Sequence, residues 1–166
     1  MTIHSSLNPW KDNVLFTPGP LTTSRTVKQA MLRDLGARDS EFLAVVGDIR
    51  NRLLDLAGVK AGEFEAILMQ GSGTYGVESV ISSAIPPDGK LLVIANGAYG
   101  NRIAKMASLL KIDLTHLHYS ENQTPDLDEI DRVLAEDDRI THVAVVHCET
   151  TSGIVNPIER IGRSEE

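Results

Sequence analysis

The chain has a single cysteine, Cys148, so no internal disulfide can form, and nothing else in it points to an oxidising compartment. It lacks any apolar run approaching the roughly 18 to 20 residues that a membrane-spanning helix needs. Its opening, MTIHSSLNPWKDNV, has no basic stretch followed by an unbroken apolar one, which argues against a secretory signal. Basic character is scarce as well. Sixteen Lys and Arg against 23 Asp and Glu leave a formal net charge of -7, the wrong sign for gripping a phosphate backbone. These absences predict a soluble, cytoplasmic protein with no membrane and no nucleic acid among its partners.

No internal repeat or low-complexity tract is present. The 166 residues, 42% hydrophobic and 23% charged, supply an ordinary globular composition and enough chain for a proper core. FTPGPL (16–21) reads as a rigid turn and residues 24–34 as a short helix. A longer helix follows, opened by Asp39 and Ser40 and closed by Gly58, with Phe42, Val45, Val46, Ile49, Leu53 and Leu56 spaced three or four apart.

From there the period switches repeatedly. Strands are expected at 64–70, 91–96, 112–119 and 141–148. Helices are expected at 74–85 (Val77, Val80, Ile81 and Ala84 inward), at 99–111, and at 125–136 with Thr124 as cap and Pro125 in the first turn. Such alternation predicts an α/β fold of three layers, a largely parallel sheet with helices on both faces. Ligands in such sheets gather beyond the carboxyl ends of the strands. Attention therefore falls on residues 71–76, 96–100, 119–123 and 147–153.

The first of these, GSGTYG, matches G-x-G-x-x-G between a strand and a helix. A dinucleotide site would add an acidic residue about 20 positions on, at the end of the next strand. Asn96 stands there instead. Amides at a helix start attract an anion whatever the rest of the ligand is, and Ser72 and Thr74 add hydroxyls. No lysine follows the glycines, so the loop is not of the nucleoside-triphosphate kind, while a turn needed only for close packing stays open.

At the next strand end Tyr99 offers a flat face for an aromatic ligand. HCETTSGIVNP (147–157) then brings two hydroxyls, a carboxylate and a glycine. Taken singly, Glu149 reads as a structural acceptor and Cys148 as a small packed residue. His116 and His118 share a strand face without a nearby third ligand, so no metal site is assigned.

TPGPLTTS, MQGSGTYGVESVI, ANGAYGNR and VVHCETTSGIVNPI, in this order and spacing, resemble the small-substrate aminotransferases of fold type I, and among them the 2-aminoethylphosphonate–pyruvate aminotransferases. Alanine–glyoxylate aminotransferases carry a looser version of the last motif. The resemblance implies pyridoxal 5'-phosphate as cofactor. Ser72, Gly73 and Thr74 would cradle its phosphate, Tyr99 would stack on its ring, and Thr150, with Thr151 beside it, would lie against the ring's phenolic side. It also implies transfer of an amino group from 2-aminoethylphosphonate to pyruvate, giving phosphonoacetaldehyde and alanine, by a homodimer with active sites between subunits.

In that family an aspartate against the ring nitrogen and the lysine of the Schiff base come later than the fourth strand. Here the six lysines end at Lys111, so no residue of this chain is assigned as catalytic. The last helix is expected to open with Asn156 as cap, Pro157 and Glu159, and RSEE closes the chain soon after. The expectation is an irregular segment over 1–22, then part of a cofactor-binding large domain over 23–166, inactive alone, with uncovered apolar surface that favours association.

Overall fold

Local capping sets the first helices. The computed structural model describes residues 13–163; most of the opening stretch read against a secretory signal, and the last three residues of RSEE, lie outside them. The described residues form two compact units, one ending at Leu68 and one beginning at Met69.

In the first unit, α1 (Arg25–Ala30) starts after Ser24, whose hydroxyl accepts from the Val27 amide, and is shorter than the expected 24–34. The helix α2 (Ser40–Ala57) matches its expected span. Gly58 ends it at φ 70°, a left-handed conformation that favours glycine, and there its amide and that of Val59 reach the carbonyls of Asp55 and Leu54. The apolar stripe forms the helix but is left largely uncovered among the described residues. Leu54 is the buried residue of α2, whereas Val45, Ile49, Leu53 and Leu56 are exposed.

The strand expected at 64–70 does not form. A strand needs a ladder partner, and among the described residues this segment has only an isolated bridge between Ala61 and Phe64. Arg50 holds it instead: its Nε donates to the Ala66 carbonyl at 3.0 Å, and its guanidinium pairs with Glu65.

The second unit opens with α3 (Gly73–Ala84) and then alternates: β1 (Lys90–Ala95), α4 (Ala98–Leu109), β2 (Asp113–His118), α5 (Leu127–Glu136), β3 (Ile140–Val145). The three strands make one parallel sheet in the order β2-β1-β3, with Lys90 to Ala95 paired in register with Asp113 to His118. The sequence then adds a small antiparallel pair, β4 (Cys148–Glu149) and β5 (Ile154–Val155), and α6 (Ile158–Arg163). The expected strand 141–148 is thus cut short at Val145.

The continuous apolar run LLVIA is explained by the layering. Leu91, Val93 and Ala95 pack on one face with Ile81 of α3 and Ile103, Ala104 and Ala107 of α4. Leu92 and Ile94 pack on the other with Tyr119, Ile130 of α5 and Ile161 of α6. Side chains alternate across a strand, so β1 feeds both cores. Each such buried aliphatic side chain contributes about 1.5–3 kcal/mol.

Three details correct the sequence reading. Val80 and Ala84 face outward on α3, leaving Ile81 and Val77 to pack. The helix α5 begins at Leu127, because the Asp126 carboxylate is the group that reaches an amide, that of Asp128 at 3.0 Å; Thr124 is not its cap. Asn156 does not cap α6 either, since its side chain is buried elsewhere, as described below.

The amino ends of the strands are tied by charge. Lys90 Nζ lies 2.7 Å from Asp137, and Arg139 bridges Asp137 and Asp113. Hydrogen bonds from Lys90 and then Arg139 hold the Asp137 carboxyl down at about 2, from an ordinary value of 3.8. A carboxylate depressed on folding stabilises the native state above its unfolded pKa, and the gain disappears as pH falls through the folded one. Thermal unfolding should show Asp137→Asn less stable than the parent at pH 7. The difference should shrink from about pH 4 downward and vanish near pH 2.

Candidate cofactor site

At the carboxyl end of the sheet, two amide side chains seal the strand termini together. Asn96, immediately after β1, donates to Asn156 Oδ1 at 2.9 Å and to the Gln123 carbonyl at 3.0 Å. Asn156 donates back to Asn96 Oδ1 at 3.0 Å and to the Val146 carbonyl at 2.8 Å. Both residues are about 1% exposed, so each partner is needed to offset desolvation. Local pattern marks Asn96 only as the residue that spoils a dinucleotide site and Asn156 only as a cap. Neither view foresaw their pairing, which joins positions 60 apart.

Next to this pair, Glu149 is fully buried. Its carboxylate accepts from the Tyr99 amide at 3.3 Å and the Gly100 amide at 3.2 Å, which are free donors of the first turn of α4. The Thr151 hydroxyl donates to it at 3.1 Å and also accepts from the Ala98 amide at 3.4 Å. Gly97 makes this approach possible: a Cβ there would lie 2.3 Å from Glu149 Cγ. The glycine is required by space, for its φ of 175° is ordinary extended backbone.

The start of α3 is built differently. Ser72 caps it by accepting from the Tyr75 amide at 3.3 Å, while the Gly73 and Thr74 amides stand too early in the helix for an intrahelical acceptor. Arg102 Nη1 donates to Thr74 Oγ1 at 3.3 Å, and its guanidinium carbon lies 4.9 Å from the centre of the Tyr99 ring. That contact has cation–π geometry. No carboxylate pairs with Arg102 among the described residues.

Of the residues singled out in the sequence, Thr74 and Tyr99 are thus joined through Arg102, and Tyr99 and Thr151 through Glu149. Ser72 and Gly73 are adjacent to Thr74 in the same helix start. Thr150 is exposed in the β4–β5 turn, its side chain not hydrogen-bonded to the cluster. Arg102 was not anticipated; the only signal for it was its place one turn after Tyr99 in NGAYGNR.

The arrangement suits an anion attached to a flat ring. The α4 start is already filled by the chain's own carboxylate, whereas α3 keeps two free amides, two hydroxyls and a neighbouring guanidinium. Elsewhere at this end, Tyr119 donates to Glu129 at 2.8 Å, and burial first, then that carboxylate, pushes its phenol well above the ordinary value. His116 and His118 meet edge to face at 5.8 Å, and His118 also contacts Asn101. Burial, then the charge of His118, lowers His116. No group of three or more His, Cys, Asp or Glu among the described residues could hold a metal, and no described helix is long and apolar enough to cross a membrane.

Comparison with known proteins gives the family and the fold. The class-V aminotransferase profile matches residues 22–165. A 2-aminoethylphosphonate–pyruvate transaminase of Syntrophobacter fumaroxidans is 50% identical over 157 residues, covering 95% of this chain and 41% of that protein. A bifunctional phosphonoacetaldehyde hydrolase/aminoethylphosphonate transaminase of Clostridioides difficile is 44% identical over 98% of this chain and 26% of its own length. An alanine–glyoxylate aminotransferase of Nostoc superposes with a TM-score of 0.78 at 28% identity, over 96% of this chain and 42% of that one. The chain therefore spans well under half the length of these relatives, and the fold they share with it is that of the fold type I aminotransferases.

The reciprocal amide pair gives a direct test of the site's frame. Asn156→Ala strands the Asn96 amide and the Val146 carbonyl in a buried place, and should cost about 1–3 kcal/mol in urea unfolding. Asn96→Ala should cost a similar amount, and the double variant less than the sum of the two.

Proposed function

Because the chain belongs to the class-V aminotransferases, a family that uses pyridoxal phosphate, we propose that it forms the cofactor-holding part of a 2-aminoethylphosphonate–pyruvate transaminase. The observation that carries the reading is the contrast between two helix starts: α4 filled by Glu149, and α3 with its first amides open and the Ser72 and Thr74 hydroxyls beside Arg102, which no carboxylate among the described residues neutralises. In this reading the cofactor is pyridoxal 5'-phosphate, and the Ser72 hydroxyl, the Gly73 and Thr74 amides and Arg102 hold its phosphate. Dipole and charge at a helix start contribute on the order of 0.3–2 kcal/mol there, and each hydrogen bond to the charged group about 1.5–3 kcal/mol. Tyr99 lies along the ring, and Thr150 and Thr151 stand toward its phenolic oxygen.

When bound, the cofactor supplies an electron sink for exchange of an amino group. The substrates assigned are 2-aminoethylphosphonate and pyruvate, named for the relatives' activity. The same proposal makes the protein a cytoplasmic homodimer; the uncovered stripe Val45, Ile49, Leu53 and Leu56 supports association. The domain boundary proposed remains residue 23. Proton transfer needs a positioned base, worth about 10²–10⁴ in rate, and the six lysines of these 166 residues end at Lys111.

Two measurements test the reading. Pyridoxal phosphate titrated into the 166-residue chain, followed by induced visible circular dichroism, should saturate. Ser72→Ala with Thr74→Val should weaken that binding by roughly tenfold or more. Saturable NADH binding without a response to pyridoxal phosphate would sink the assignment. In a coupled assay with 2-aminoethylphosphonate and pyruvate, the same chain should make no alanine beyond the rate of free cofactor. Sustained turnover would refute the assignment of the base outside these residues.

A further inference from the structure

A carboxylate excluded from water is kept only where donors replace its hydration. Glu149, with no exposed surface, has them from two directions: backbone amides of Tyr99 and Gly100 on one side, and the amide and hydroxyl of Thr151 on the other, the last two at 3.5 and 3.1 Å. These are the backbone of the residue read as the ring-stacking surface and the side chain of a residue read as facing the ring. The Thr151 hydroxyl has one proton, directed at Glu149 Oε1, and one of its lone pairs takes the Ala98 amide. It has no proton left for a ligand. Thr150, next in the chain and exposed, has no hydrogen-bond partner for its hydroxyl among the described residues.

We propose that Glu149 and Thr151 are positioning residues, a carboxylate–hydroxyl clamp that fixes residues 98–100 against the β4–β5 turn, so that the Thr151 hydroxyl serves the frame of the site and not the cofactor. The inference rests on the pyridoxal phosphate reading and deepens it. Glu149 acts in two ways. It sets the angle at which Tyr99 leaves the helix start, and it places a negative charge where a second anion site would otherwise open, so the phosphate is directed to α3. The clamp depends on Gly97, at which any Cβ would also fall 2.8 Å from Thr151 Oγ1.

The experiment compares the parent chain with Glu149→Gln, Thr151→Val, Thr151→Ser and Thr150→Val. In the absence of cofactor, amide hydrogen exchange at Tyr99 and Gly100 should quicken about tenfold in Glu149→Gln and Thr151→Val, with the β1 amides unchanged. Thr151→Ser, which keeps the hydroxyl, should return to parent rates. With pyridoxal phosphate, Glu149→Gln should weaken binding about tenfold and reduce the induced dichroism per bound cofactor, the sign of a ring no longer held at one angle. Thr150→Val should leave exchange unaltered. Unchanged exchange in both clamp variants, or parent-like affinity and dichroism in Glu149→Gln, overturns the clamp. Failure of the parent itself to bind overturns the cofactor reading and the positioning role with it, a result told apart from the others by the parent titration alone.

Discussion

The architecture of the second unit hangs on a pair of primary amides that answer each other away from water. Asn96 and Asn156 exchange two hydrogen bonds and send their remaining protons to the carbonyls of Gln123 and Val146. One interaction therefore gathers the end of β1, the loop that follows β2, the end of β3 and the entrance to α6. Carbonyls that would have been orphaned at the strand ends are satisfied, which is the condition for burying them. Parallel strands have no turn to hold their ends in register, so the task falls to side chains. Here amides perform it at one end and the Lys90, Asp137, Arg139 and Asp113 charges at the other.

Much of the fold could be read from the residues alone because period and punctuation agreed. LLVIA with its flanking turns yields a strand covered on two sides, and α2 ends at Gly58 as written, although the Asp39 carboxylate turns back to the Gly36 amide instead of capping the helix. The failures share a cause. Whether 64–70 pairs, whether Val80 faces in, and whether Asn156 caps a helix are decided by partners distant in the chain, and local pattern carries no information about them. Phe64, Ile67, Leu68 and Met69 have the composition of a strand, but a ladder requires a second one.

The candidate site shows the same division. Its hydroxyls and glycines were legible as motifs, and so was the tyrosine. The assignment of work among them was not. Two helix starts with glycine look alike in sequence, and only the arrival of Glu149 from 49 residues away shows that one is occupied by the protein itself. The spacing of Arg102 from Tyr99 was visible, whereas its bond to Thr74 depends on how α3 and α4 pack.

Arg102 has one more implication, for how a ligand travels. The chain carries a net charge of -7, so a doubly charged phosphate ester feels repulsion while still at a distance. In the proposed site it would then meet, within the last few ångströms, a guanidinium that no carboxylate among the described residues neutralises. Dissolved salt then acts in opposite senses on the two stages: shielding the remote field hastens encounter, while shielding the near one loosens the grip. In that reading, capture speed and residence time would answer to separate parts of one electrostatic landscape.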